Sequence, residues 1–214
     1  MWYKLKKIYV WDKLVRPRRL PSAYQEVEYI QSSWTQYINT NVQLWTSNFE
    51  LNTKCSIVSW QTSEMAIASI WTSSPNYWNM FITTGKLLDL YLNWHNTIST
   101  TLQLGTTYEM SVQRTASNTW KLALDNDVHT YTYTPWGTNN TTLKLFTRWD
   151  VPWTSSSNTY IKMYSCELYV GWTLVRNFIP CYRKSDNVIW MYDTANNQFY
   201  TNSWTWTFTK WPNV

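Results

Sequence analysis

The residues that could do chemistry in this chain are few. Glu26 and Glu28 stand two apart, which puts both on one face of a strand. Paired carboxyls of that kind act as acid and base on a glycosidic bond. They are the nearest approach to such a pair here, and they fall where a sandwich edge is expected. His95 and His129 have no serine or cysteine nucleophile at a recognisable motif, so each reads as a loop or strand-surface residue. No catalytic residue is assigned, and the chain reads as a non-enzyme. Asp125-Asn126-Asp127 offers hard oxygen ligands of the kind Ca2+ takes, with Asp150 in another loop. The same tripeptide is also a good hairpin turn. Beyond that candidate Ca2+ at Asp125 and Asp127, no cofactor is implied. Tyr77, Asn79, Asn93, His95 and Asn96 lie in loops and strand ends where an aromatic face and amides could converge on a sugar. They are the candidate ligand-binding residues.

The elements that must position these groups are strands. Runs rich in Thr, Tyr, Ile and Val recur at short spacing, bounded by Asn, Ser and Gly, and no segment sustains a helical period. Strands are expected near 25–30, 36–42, 47–58, 65–70, 79–83, 87–93, 107–114, 119–124, 128–133, 141–147, 159–170, 173–179, 187–192 and 198–201. A short N-terminal hairpin is expected over 5–15, then a proline-bearing linker from Arg16 to Pro21. Residues 1–19 are thus a leader, and 20–214 are expected to form one antiparallel β-sandwich. A hairpin turning at Gly171-Trp172 would place Cys166 opposite Asn177 and Cys181 opposite Lys162. That holds the two thiols too far apart to bond. With Cys55 the cysteines number three, without metal-site spacing, so all are expected reduced.

Charge and hydropathy exclude other classes. The formal charge is +5, with the basic excess gathered in the first 19 residues and no basic stripe of the kind that reads nucleic acid. No apolar run reaches the ~18 residues of a membrane span, and no signal-peptide core is present near Met1. Synthesis in the cytoplasm without membrane insertion is expected.

The composition carries an anomaly: 17 Trp against 4 Gly in 214 residues. Turns need glycine, because it takes positive φ without steric cost. Here tryptophan occupies turn-like places, as in Pro135-Trp136-Gly137, Asn93-Trp94-His95 and Ser203-Trp204-Thr205-Trp206-Thr207. Reading UGA as tryptophan in a gene whose own code reads it as glycine would yield this pattern. On that account most tryptophans should lie outside strand centres, many exposed and several at positive φ. The firmest cases are Trp11, Trp34, Trp94, Trp136, Trp153, Trp204 and Trp211.

Two segments carry a family resemblance. Leu20-Pro21-Ser22-Ala23-Tyr24-Gln25-Glu26-Val27-Glu28-Tyr29-Ile30, continuing to Thr40, resembles the opening of a concanavalin-like, laminin-G-like family. Such proteins are found in phage tails and on bacterial surfaces. The closing stretch from Thr173 through Phe178-Ile179-Pro180-Cys181-Tyr182, with Val188 to Asp193, is similar as well. The family carries glycine where Trp34, Trp190, Trp204, Trp206 and Trp211 stand. The resemblance implies a concanavalin-like jelly roll in a virion or extracellular setting, with a host surface glycan or other virion proteins as partners. The expectation is a non-enzymatic phage tail or decoration module. A bacterial surface adhesin of the same fold and a carbohydrate-active enzyme are its rivals.

Overall fold

A computed structural model describes residues 20–33, 36–44, 48–71, 77–134, 140–147, 160–203 and 207–214. The expected N-terminal hairpin and Asp150 lie outside them, as do Trp11, Trp34, Trp136, Trp153 and Trp204. Sixteen strands and no helix occupy the described residues: β1 Tyr24–Gln31, β2 Ile38–Asn39, β3 Phe49–Ile57, β4 Met65–Ile70, β5 Trp78–Ile82, β6 Leu87–Tyr91, β7 His95–Thr101, β8 Thr107–Arg114, β9 Thr119–Leu124, β10 Asp127–Thr132, β11 Lys144–Leu145, β12 Ile161–Val170, β13 Thr173–Arg183, β14 Ile189–Asp193, β15 Gln198–Tyr200 and β16 Thr209–Asn213. They form two antiparallel sheets. One has ten strands in the order β10-β9-β8-β3-β12-β1-β13-β14-β15, with β16 paired to β1; the other has six, in the order β2-β11-β4-β5-β6-β7. The fold is an all-β antiparallel sandwich.

The strands expected at 36–42 and 141–147 shrink to two residues each, and two further strands were not expected. The β7 sequence, His-Asn-Thr-Ile-Ser-Thr-Thr, buries only Ile98 fully, because it forms the edge of the small sheet. An edge needs little apolar patterning, so the segment resembled a loop. β16 contains Pro212, and it too is a partner at the margin of a sheet rather than within one. The carboxylates Glu26 and Glu28 are not at an edge: β1 runs between β12 and β13 in the middle of the large sheet.

The β12–β13 hairpin turns at Gly171-Trp172 as expected, but its register slips by one residue at a bulge between Leu168 and Tyr169. Cys166 therefore faces Phe178, not Asn177. Cys181 faces Glu26 and Trp190 rather than Lys162, because beyond Phe178 the two strands part and β1 enters between them. Pro180, which has no N–H to donate, stands at that changeover. All three thiols are free and buried. Burial pushes Cys55 and Cys181 up to about 12 and holds Cys166 well above the ordinary thiol value, so none supplies a thiolate near neutral pH.

Alternate residues of both sheets meet in one apolar cluster. Phe49 stacks on Trp78 with centroids 5.3 Å apart and meets Trp120 edge-on at 5.7 Å. Trp120 donates its indole N–H to the Tyr133 carbonyl at 3.0 Å. Eight of the 17 tryptophans are among the described residues, and they divide. Trp78 and Trp120 are fully buried within strands, against the expectation that tryptophan avoids them. Trp94 is 75% exposed in the β6–β7 turn, and Trp172 is 59% exposed at a φ of 68°. Trp60 and Trp71 lie outside strands and are half-buried. Trp190 lies in β14, its indole N–H buried without a partner among the described residues. Trp211, expected at a turn, is instead within β16.

Candidate functional site

Along β5, Trp78, Met80 and Ile82 enter the core, so Asn79 and Phe81 point to the opposite, outer face of the small sheet. Residues directly paired across an antiparallel ladder share a face. Successive pairings therefore lay one outer-face file across all six strands: Asn39 with Lys144, Lys144 with Ser69, Ser69 with Asn79, Asn79 with Tyr91, and Tyr91 with His95. A second row beside it holds Phe81, Asp89 and Thr97. An outer sheet face this polar is ordinary when solvated. Here Ser69, Asn79 and Asp89 are at most 1% exposed, which is not.

Most of these buried groups have partners. Asn39 Oδ1 accepts from Thr142 Oγ1 at 2.7 Å, and Ser69 Oγ donates to the Thr147 carbonyl at 2.6 Å. Asp89 accepts from the Thr97 hydroxyl, and its Oδ1 lies 3.3 Å from His95 Nδ1. Asn79 is the exception. Its Nδ2 and Oδ1 are both buried and have no hydrogen-bond partner among the described residues. Leaving such groups unmade costs ~1–3 kcal/mol each. The buried hydroxyls of Tyr131 and Tyr133 likewise have no partner among the described residues. Burial, then the charges of Asp89 and Asp127, push the Tyr131 hydroxyl up; burial and Tyr91 do the same to Tyr133.

Aromatic rings flank the orphaned amide. Tyr77 stacks on Tyr91 at 5.4 Å and 3°, Tyr91 meets His95 edge-on at 5.0 Å, and Trp71 lies 3.8 Å from Tyr77. The His95 side chain is 57% exposed above fully buried Asp89. A carboxylate holding Nδ1–H of an imidazole leaves Nε2 with its lone pair, the arrangement of a general base.

The structure thus brings together three of the five expected ligand-binding residues, Tyr77, Asn79 and His95. Asn93 does not join them: it holds the β6–β7 turn at a φ of 68°. Nor does Asn96, which pairs with core-facing Leu90 and spends its Nδ2 on the carbonyls of Leu90 and Trp94. Sequence reasoning missed Asp89 and Tyr91. Their signal was alternation: in Leu87-Leu88-Asp89-Leu90-Tyr91 the leucines at 88 and 90 fix the core face, and Asp89 and Tyr91 must oppose it.

The other candidates lead elsewhere. Asp125 takes a φ of 52° and caps the β9–β10 turn, accepting from the Glu109 amide at 2.8 Å. Asp127 is 3.0 Å from His129. No cluster of three His, Cys, Asp or Glu side chains suited to a metal exists among the described residues.

No family model and no curated protein matches the sequence. Among solved structures the chain is similar to a Trypanosoma rangeli sialidase in complex with sialic acid, with a TM-score of 0.49 and 8% identity over 58% of this chain and 21% of that one. It is also similar to an alginate lyase of polysaccharide lyase family 7, with a TM-score of 0.43 and 12% identity over 59% of this chain and 60% of that one. An alginate lyase from Corynebacterium sp. gives 0.43 and 10% over 63% and 62%. The match spans about a fifth of the sialidase's length. These findings correct two expectations. The similar structures named here are carbohydrate-active enzymes, and on that finding the virion reading and the reading of a non-enzyme are both withdrawn.

Proposed function

We propose that the outer face of the six-stranded sheet binds a saccharide at β5, β6 and β7. The observation that carries this reading is Asn79: a fully buried amide whose donor and acceptor have no partner among the described residues, beside the Tyr77–Tyr91 stack. A sugar supplies what that place lacks. Its adjacent hydroxyls each donate and accept, and its C–H face packs on a tyrosine ring. Titration of a panel of neutral oligosaccharides (cellohexaose, mannohexaose and galactohexaose) by calorimetry is expected to find a binder. Asn79→Ala and Tyr77→Ala should each weaken it about tenfold, and His129→Ala, in the other sheet, should leave it unchanged. Binding untouched by both site variants would overturn the reading.

A second reading, turnover of the same saccharide, is favoured by the buried Asp89 beneath exposed His95. It requires new chain ends to appear during incubation and to vanish in His95→Ala while binding persists.

The laminin-G-like resemblance of the two end segments belongs to this proposal, and so does the glycine account of the tryptophans. Trp172 stands where positive φ calls for glycine, Trp94 is exposed in a turn whose positive φ falls on Asn93, and Trp120 stands where the core calls for an indole. The gene is expected to read UGA at 94 and 172 and UGG at 120. UGG at all three would end the recoding account.

A further inference from the structure

The saccharide seat is partly covered in this chain by one of its own side chains. We propose that the Trp71 indole occupies the ring slot on Tyr77 that a neutral sugar would take, so that residue 71 gates the site. This rests on the saccharide reading above.

Ile70 pairs with Trp78, so Trp71 follows directly on β4 opposite Tyr77, in the outer-face row beside Ser69 and Asn79. β4 and β6 flank β5 on its two sides. Tyr77 accordingly has Tyr91 against one side, parallel within 3°, and Trp71 against the other. The two contacts are not alike. Tyr91 lies at 5.4 Å, an ordinary stacking distance. Trp71 lies at 3.8 Å with a 42° tilt, inside the ~4.5–7 Å at which aromatic pairs settle. The indole thus covers the side of Tyr77 turned away from Tyr91.

A pyranose is narrower than an indole, comparable in breadth to a six-membered aromatic ring, and it brings hydroxyls. Stacked on Tyr77 in the place of Trp71, its ring edge would lie one row, ~7 Å, from the Asn79 position. That is within reach of exocyclic hydroxyls. Asn79 also selects the chemical class. An Nδ2 and an Oδ1 without partners among the described residues are matched by neighbouring hydroxyls, one accepting and one donating. An acidic sugar offers the same hydroxyls, but its carboxylate would be repelled by buried Asp89 in the neighbouring row. The occupant is therefore a neutral sugar with vicinal hydroxyls.

The test compares the parent chain with Trp71→Gly, with Trp71→Ala in case glycine loosens the end of β4, and with Trp71→Gly/Asn79→Ala. Each is titrated with the three neutral hexaoses and with hexagalacturonate. Opening the slot is expected to tighten binding of one neutral hexaose about tenfold, with no gain for hexagalacturonate, and the added Asn79→Ala should abolish the gain. Parent and both Trp71 variants binding alike, with Asn79→Ala still weakening the parent, would overturn the gate and leave the saccharide reading standing. No binding by parent or variants, all folded by circular dichroism, would overturn both. A gain restricted to hexagalacturonate would overturn the assigned ligand class and with it the proposal.

Discussion

Truncating Trp120 to alanine is expected to lower the unfolding free energy by about 4 kcal/mol, the cost typical of deleting a large buried aromatic. Trp120 is 1% exposed, meets Phe49 edge-on, and carries the Arg114 guanidinium 5.6 Å over its ring. Its N–H also engages the Tyr133 carbonyl, which holds the residue following β10 against β9. Removing the indole thus opens a cavity and orphans a buried acceptor together. A domain of this size loses roughly 2–4 °C in melting temperature per kcal/mol, so the midpoint should fall by about 10 °C. Thermal unfolding followed at 218 nm, a wavelength where strands absorb (about 10 °C resolved easily), reads it out. A fall of under about 3 °C would mean that the core does not depend on this indole, and that the division between structural and misplaced tryptophans is drawn wrongly.

That division bears on how much of the molecule was legible from the chain. Strands with dense β-branched or alternating patterns were plain: β4, β8 and β9 fall at 65–70, 107–114 and 119–124, where the pattern put them. Polarity hid β7, whose outer neighbour is solvent and whose threonines do not alternate with apolar residues. The bulge that moved Cys166 opposite Phe178 has no mark in the sequence, because Arg176, Val175 and Leu174 all suit a strand. Register in a long hairpin is set by packing on both faces, and a single-residue slip costs only local pairing.

The site was half legible for a related reason. Tyr77, Asn79 and His95 were visible as aromatic, amide and imidazole near one another in sequence. Their convergence depends on β7 being a strand, since only the β6–β7 pairing sets His95 beside Tyr91 and Thr97 beside Asp89. Lys144 and Asn39 enter the same file from β11 and β2, two-residue strands more than a hundred positions apart. No local pattern could link them. Asn93 and Asn96 were drawn in by residue type, yet turn geometry had already claimed both.

Replacing Trp172 by glycine should do the opposite of the Trp120 truncation and raise stability by about 1 kcal/mol. Gly171 and Trp172 are the two central residues of the β12–β13 turn, at φ values of 54° and 68°. Positive φ at both marks the hairpin turn whose twist matches the flanking strands, and it is built from glycine and asparagine for that reason. A bulky residue there brings its Cβ against the following carbonyl, at ~1–2 kcal/mol for left-handed backbone. The indole gains nothing in return, being 59% exposed. Glycine removes the clash and the exposed apolar surface while the 171–172 backbone keeps its shape. It also loosens the unfolded chain, by up to ~1 kcal/mol, which subtracts from the gain. The melting temperature should rise by a few degrees, roughly 2–4 °C per kcal/mol. Trp172→Asn, which also tolerates positive φ, should recover most of it. Trp172→Ala should recover less, because alanine sheds the indole but retains the Cβ. If glycine and alanine stabilise equally, the benefit comes from losing exposed aromatic surface and not from the backbone. The turn would then no longer argue that glycine belongs at this position.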